Sequence, residues 1–223
     1  MHDSDWPPAV NDNMVFKHAV LNEFEGRLSG STNQFRWDGE GWIGTDMNRL
    51  WIKSEGIAES GEVSDGDHEA LYDRPIPRIR YFDAQAGIRA DADSGPTRLW
   101  AAFGAEGLAP YFFNFEPTFY LSDGGHLAGR INGSWDLVVT QRWVLQPQAE
   151  LNLYSKGDPK RQIGSGFSAI DAGVRLRYEI SRKFGPYIGW VYDGRYGDTA
   201  LYTRRSGGVT HNSTFVFGLR AWY

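Results

Sequence analysis

Apolar and polar side chains alternate along most of this chain with a period of two, as in a β-strand with one apolar and one polar face. The ending STFVFGLRAWY shows it plainly: Phe215, Phe217, Leu219, Ala221 and Tyr223 share one face, Thr214, Val216, Gly218, Arg220 and Trp222 the other. The same sorting recurs upstream. Phe35, Trp37 and Ile43 oppose Arg36, Asp38 and Glu40, and Phe82, Ala84, Ala86, Ile88 and Ala90 oppose Asp83, Gln85, Gly87, Arg89 and Asp91. Phe113, Phe115 and Phe119 oppose Asn114, Glu116 and Thr118, while Leu145, Ala149, Leu151 and Leu153 oppose Gln146, Gln148, Glu150 and Asn152. Ile170, Ala172, Val174, Leu176 and Tyr178 oppose Asp171, Arg175, Arg177 and Glu179. Helical periodicity is nowhere convincing. About twelve strands are expected, near 15–28, 34–44, 48–58, 67–74, 78–91, 97–107, 111–121, 127–140, 143–155, 167–180, 185–196 and 213–223.

The connections fall into two sets. Short ones lie at 45–48, 75–77, 107–110, 141–142 and 181–184, and longer Gly- and Asp-rich ones at 59–66, 156–166 and 197–212. Short turns at one rim and long loops at the other are the asymmetry of an outer-membrane barrel, periplasmic and extracellular respectively. An even strand count puts both termini at the short-turn, periplasmic rim. Any single strand would also suit a soluble sandwich, but so regular a recurrence favours the barrel. Burying Arg175, Arg177, Asp171 and Glu179 in a dry core would be costly, whereas a wet or ion-paired lumen accommodates them. The expected fold is all-β: a transmembrane antiparallel up-and-down β-barrel over 15–223 with a charged lumen. A polar, flexible arm is expected over 1–14, which contains Pro7 and Pro8.

Composition narrows this further. A mean hydropathy of −0.48 and the lack of any run of eighteen apolar residues exclude a transmembrane helix, a test that alternating strands escape. Nine Trp, eleven Tyr and thirteen Phe are more than a small soluble core needs, and interfacial girdles use them. The absence of cysteine removes disulfides, thiolate metal sites and cysteine nucleophiles. No signal peptide is recognisable, so a secreted form would be a mature or trimmed one. A net charge of −5 with a pI near 5.5 argues against nucleic acid as a partner.

Four stretches carry a resemblance: WDGEGWIGTDMNRLWIKSEG (37–56), LWAAFGAEGLAPYFFNFEPTFY (99–120), TQRWVLQPQAELNLYSKGDP (140–159) and IGSGFSAIDAGVRLRYEI (163–180). With EALYDRP (69–75) and the aromatic ending, the chain resembles the copper resistance protein B family over nearly the whole barrel. The resemblance implies an outer-membrane barrel that binds copper or exports it from the periplasm. Its implied partners are the copper ion, bound transiently as Cu(I) or Cu(II), outer-membrane lipid and a periplasmic copper protein. The family often carries a Met- and His-rich segment before the barrel, of which the arm here would be a remnant.

Thioether sulfur suits Cu(I), while imidazole and carboxylate suit Cu(II). The candidate metal ligands are Met14, at the start of the first strand, Met47, in the first short turn, His2 and His18. Both methionines are expected at the periplasmic rim, where an exporter would receive its cargo. His18 shares a face with Phe16, Val20 and Phe24, which points it toward lipid or the girdle. His68, His126 and His211 fall in or beside the presumed extracellular connections, with no metal-ligand spacing among them. The charged faces are expected to line the lumen, with Arg175, Arg177 and Arg220 paired to acidic neighbours. Two other classes stay open: a general porin or nucleoside-type diffusion channel, and an outer-membrane hydrolase. The hydrolase lacks both a GxSxG elbow and an inward His beside a Ser.

Overall fold

Alternation along each strand and tight turns between strands leave one solution, a meander that closes on itself. The computed structural model describes residues 14–28, 33–59, 61–92 and 97–223. Its strands are β1 (Phe16–Leu28), β2 (Asn33–Gly44), β3 (Arg49–Glu59), β4 (Glu62–Pro75), β5 (Phe82–Asp91), β6 (Arg98–Ala109) and β7 (Phe113–Ser122). There follow β8 (His126–Trp135), β9 (Leu137–Val138), β10 (Trp143–Tyr154), β11 (Gly166–Tyr178), β12 (Phe184–Arg195) and β13 (His211–Trp222). β9 continues β8 beyond a break at Asp136, and both pair with β10, so thirteen segments make twelve staves.

Every neighbouring pair is antiparallel, and β13 returns to pair with β1, which closes the barrel. The seam runs to the last residue: the Tyr223 N–H donates to the Ala19 carbonyl at 2.8 Å, and the Ala19 N–H to the Tyr223 carbonyl at 3.1 Å. Closure removes every free sheet edge, which a lipid environment requires. The outer wall carries the apolar faces read from the sequence. Ile43, Ile88, Phe103, Phe119, Val174, Ile188 and Phe215 are all exposed there. Inside, the aromatic cluster of Trp51, Leu71, Trp100, Ala102 and Tyr120 packs among charges.

Twelve staves place Met14, the start of β1 and Tyr223 at one rim, together with the turns at 45–48, 76–81, 110–112, 139–142 and 179–183. We call this the terminal rim. Both long connections, 155–165 and 196–210, lie at the opposite rim. Three expectations need correction. The stretch 59–66 is no long loop: β4 starts at Glu62, and Gly61, at φ +87°, makes the hairpin turn that a side chain would strain. His68, which the strand expected at 67–74 already contained, sits inside β4, where its Nδ1 meets Ser54 Oγ at 3.1 Å. The last long connection also contains a helix, α1 (Gly197–Arg205), with Asp198 in its first turn and Arg204 and Arg205 in its last. It is too short to announce itself by periodicity and forms no part of the wall. Of the expected arm, only Met14 falls within the described residues.

The third correction concerns β1. The register against both neighbours shifts at Leu21–Phe24, where an extra residue bulges. A bulge reverses which face each later residue takes. Phe24 therefore faces outward, while His18 and Val20 line the lumen instead of the girdle.

Candidate functional site

Among the described residues, two cavities open within the lumen. At the terminal rim is a vestibule of about 490 Å³, and toward the opposite rim a chamber of about 880 Å³. Their charge differs sharply. The described residues lining the vestibule include ten carboxylates, Glu23, Asp38, Glu40, Glu55, Asp67, Glu69, Asp73, Asp83, Glu106 and Glu116, against the cations Lys53, Arg130 and Arg220. The chamber is balanced, with Glu55, Glu59, Asp65, Asp67, Glu150 and Asp193 against Arg36, Arg89, Arg130, Lys160, Arg161 and Arg195.

Many of the vestibule carboxylates already have partners. The Lys53 ammonium holds Glu106 at 2.8 Å and Glu116 at 2.6 Å, and Arg49 holds Asp83 at 2.7 Å and Asp73 at 3.3 Å. Others are not neutralised. Among the described residues, Glu69 accepts only the Tyr120 hydroxyl, at 2.7 Å, and Glu40 only the Asn22 amide, at 3.1 Å. Asp38 makes neither a hydrogen bond nor an ion pair with any described residue. Asp38 and Glu40 lie two apart on β2, so both side chains project into the vestibule. Such a surplus of negative charge in a narrow, low-dielectric space concentrates cations.

Between the cavities the lumen is crossed by paired charges. Arg36 on β2 reaches Glu55 on β3 at 3.6 Å and Glu150 on β10 at 3.8 Å. Arg130 on β8 pairs with the same Glu55 and lies 3.6 Å from the same Glu150. The four side chains form a closed ring of alternating sign, contributed by staves from opposite sides of the barrel. Arg130 also pairs with Asp67, and Arg36 with Glu23 at 2.8 Å and Asp171 at 3.5 Å.

A second layer lies against the β1 and β11 wall. Arg175 grips Glu23 and Glu25, each at 3.0 Å. Arg27 joins Glu25 at 2.9 Å, Asp171 at 3.0 Å and Asp193 at 3.3 Å. Tyr187 adds its hydroxyl to Glu25 at 3.0 Å; its room is made by Gly218, where a Cβ would sit 2.7 Å from that oxygen. Arg177 and Arg220 meet at Asp136, at 2.9 and 3.5 Å, where the β8–β9 break turns the carboxylate inward. All three arginines expected in the lumen are there, paired to acids. Glu23, Glu25, Arg27, Asp67, Glu69, Asp73 and Asp193 were missed, although NEFEGRL (22–28) and DHEALYD (67–73) alternate cleanly. The bulge hid the first group, and reading β4's start as a loop hid Asp67 at its edge.

The opposite rim is covered by the two long connections, which bind each other. Thr199 of α1 accepts the Gly164 N–H at 2.8 Å and meets the Ser168 hydroxyl at 2.7 Å, and the Tyr196 N–H donates to the Ser168 carbonyl at 2.9 Å. Asp158, in the first of these loops, pairs with Arg98. Burial opposes ionisation of its carboxyl, but Arg98, the Lys160 N–H and Arg161 outweigh that and hold it below the ordinary 3.8.

The candidate metal ligands are partly gathered. Met14 and Met47 stand at the terminal rim on neighbouring connections, each 51% exposed. His18 lines the vestibule, its ring tilted between Trp222 at 5.8 Å and Trp42 at 6.2 Å. His2 lies outside the described residues. His126 and His211 are the first residues of β8 and β13. Among the described residues, no group of three or more His, Asp or Glu side chains converges as a resident metal site would require. The donors present suit passing cations: dispersed carboxylates, one imidazole and two thioethers.

Comparison with known proteins sharpens this. The family described as "Copper resistance protein B precursor (CopB)" matches residues 15–223. Copper resistance protein B of Escherichia coli is 38% identical over 96% of this chain and 72% of its own length. A copper resistance protein B homolog of Pseudomonas syringae pv. tomato is 36% identical over the same shares. Among solved structures, the NanC porin superposes with a TM-score of 0.55 at 13% identity, covering 92% of this chain and 99% of its own. The KdgM porin does so at 0.51 and 9%, covering 91% and 98%. These two likenesses concern the fold.

Proposed function

The chain belongs to the copper resistance protein B family, and from that premise we propose that its barrel sits in the outer membrane, terminal rim toward the periplasm, and draws copper ions out of the periplasm into its vestibule. The family is one of copper resistance and not of enzymes. What carries the reading is the vestibule, where ten carboxylates face three cations and Asp38 has no partner among the described residues. Cations collect where the field is negative, and carboxylate oxygens with an imidazole suit Cu(II).

At the mouth, Met14 and Met47 supply thioethers for Cu(I). Thioether is neutral, so capture there is weak and exchange fast, as a relay needs. His18, standing in the vestibule, is the next donor inward. Copper is the cargo, handed on by a periplasmic copper protein and carried toward the opposite rim.

The decisive experiment replaces Asp38 with Asn and Glu40 with Gln together. Neither takes part in an ion pair, so the barrel should fold and reach the membrane at parental levels. Copper tolerance of cells should drop, and the purified barrel should retain less copper(II) in equilibrium dialysis. Parental tolerance together with parental retention would end the vestibule reading. A companion variant, Met14→Leu with Met47→Leu, keeps the apolar volume. It should lower tolerance while leaving copper(II) retention unchanged; unchanged tolerance would remove the thioethers from the path.

A further inference from the structure

The vestibule and the chamber share three lining residues, Glu55, Asp67 and Arg130. Whatever passes from one cavity to the other passes these side chains. Arg130 is the cation among them, and it belongs to the ring Arg36–Glu55–Arg130–Glu150 that crosses the lumen. The two guanidiniums of that ring are not equivalent. Arg36 is anchored outside it by Glu23 at 2.8 Å and Asp171 at 3.5 Å, and it lines the chamber but not the vestibule. Arg130 has one further carboxylate partner, Asp67, which Arg89 holds independently at 2.7 Å. If Arg130 withdrew, Glu55 and Glu150 would keep Arg36 and Asp67 would keep Arg89. No carboxylate would be left without a cation.

We infer that Arg130 is the displaceable element of an ion-exchange gate: a divalent cation entering from the vestibule takes its place between Glu55 and Glu150, and the two cavities join. Arginine and a divalent cation compete for the same carboxylate oxygens, and the incoming ion replaces one charge with two. The freed guanidinium swings into a cavity with a surplus of carboxylates, which receives it. In the absence of such an ion the ring stays closed, so monovalent ions do not leak through a lumen as wide as twelve staves allow. The inference deepens the cation reading of the vestibule and rests on it for the side from which the ion comes.

The test is conductance of the purified full chain in planar lipid bilayers under potassium chloride. With a chelator present, the parent should conduct poorly. Copper(II) chloride should raise its conductance, and removing the metal should reverse the rise. Arg130→Ala should conduct about tenfold more than the parent in chelator and lose the response to metal. Arg130→Met, which keeps most of the side-chain volume, serves if the Ala variant fails to insert. Folding of each variant is verified by the mobility shift between unheated and boiled samples on gels.

A parent that is already open in chelator overturns the inference. So does an inserted Arg130 variant as closed as the parent, or a parent that no divalent cation opens. If zinc(II) opens the parent and copper(II) does not, the gate stands and the copper reading falls. If copper tolerance drops on neutralising Asp38 and Glu40 while Arg130→Met stays closed, the vestibule reading stands and the gate falls.

Discussion

The vestibule and the chamber are built by the same staves from the same alternation, yet the balance of charge on their walls differs. In the chamber Glu55, Asp67, Glu150 and Asp193 meet guanidiniums, as do Glu23, Glu25 and Asp171 in the layer bordering it, while Glu59 and Asp65 have no ion pair among the described residues. Arg27 alone touches Glu25, Asp171 and Asp193. In the vestibule the lining acids outnumber the lining bases by ten to three, and Asp38, Glu40 and Glu69 have no ion pair among the described residues. A paired network holds staves together and fills space, whereas an unpaired surplus attracts ions from solution. One barrel thus separates a structural use of charge from a recruiting one.

The contrast predicts opposite outcomes for removing a single charge. The largest effect is expected in the paired layer. Arg175→Met leaves Glu23 and Glu25, both nearly fully buried, short of their shared partner. Glu23 keeps Arg36 and Glu25 keeps Arg27, so the cost is that of the lost charged hydrogen bonds, about 3 kcal/mol. Urea unfolding of the barrel in lipid should show that loss, and a midpoint equal to the parent's would mean the network carries no structural load. In the vestibule, Asp38→Asn should change the unfolding free energy by less than about 1 kcal/mol, with any shift toward stability, because it relieves repulsion without breaking a pair. A large loss there would erase the distinction between the two cavities.

Ion selectivity should follow the same division. In a potassium chloride gradient, the opened Arg130→Met barrel should favour cations, and adding Asp38→Asn and Glu40→Gln should shift its reversal potential toward zero. Adding Glu59→Gln in the balanced chamber should move it less. Equal shifts from the two ends would show that the vestibule has no special role.

The smallest effects are expected where the opposite rim is covered. Thr199→Val removes the acceptor of the Gly164 N–H and the contact to Ser168. The cost is about 1–3 kcal/mol, confined to the cover. Limited proteolysis should cut 155–165 faster while the barrel's unfolding midpoint holds. The loop should also respond to acid. Because the Asp158 carboxyl is held below the ordinary 3.8, its pairing stabilises the loop at every pH above that value. That contribution fades only as the pH falls through the lowered value, so cutting should stay constant from neutral to mildly acid conditions and rise below about pH 4. An onset near pH 6 would point to a different group.

How much of this could be read along the chain depends on how local each feature is. A period of two is a property of neighbouring residues, so the faces of β2, β5, β7, β10 and β11 and the inward turn of Arg175, Arg177 and Arg220 were legible from sequence. The even stave count, the short turns at one rim and the position of Met47 at that rim followed from the same reading. The bulge at Leu21–Phe24 was not legible, because it depends on how β1 settles against β2 and β13 together, and it carried His18 from the expected girdle into the lumen. Helix α1 was missed because nine residues show too little period, and its seat is made by Gly164 and Ser168, far from it in sequence.

By itself, then, the sequence determined the class of fold, which face of most strands carries the charges and the family. Which charges meet was decided only by closure of the barrel. Arg36 and Arg130 stand on β2 and β8, on opposite sides, and share Glu55 and Glu150 because twelve tilted staves bring them to one level of the lumen. Alternation sends a side chain inward but says nothing about its height against staves half a circumference away, and that height separates the paired ring from the acidic vestibule.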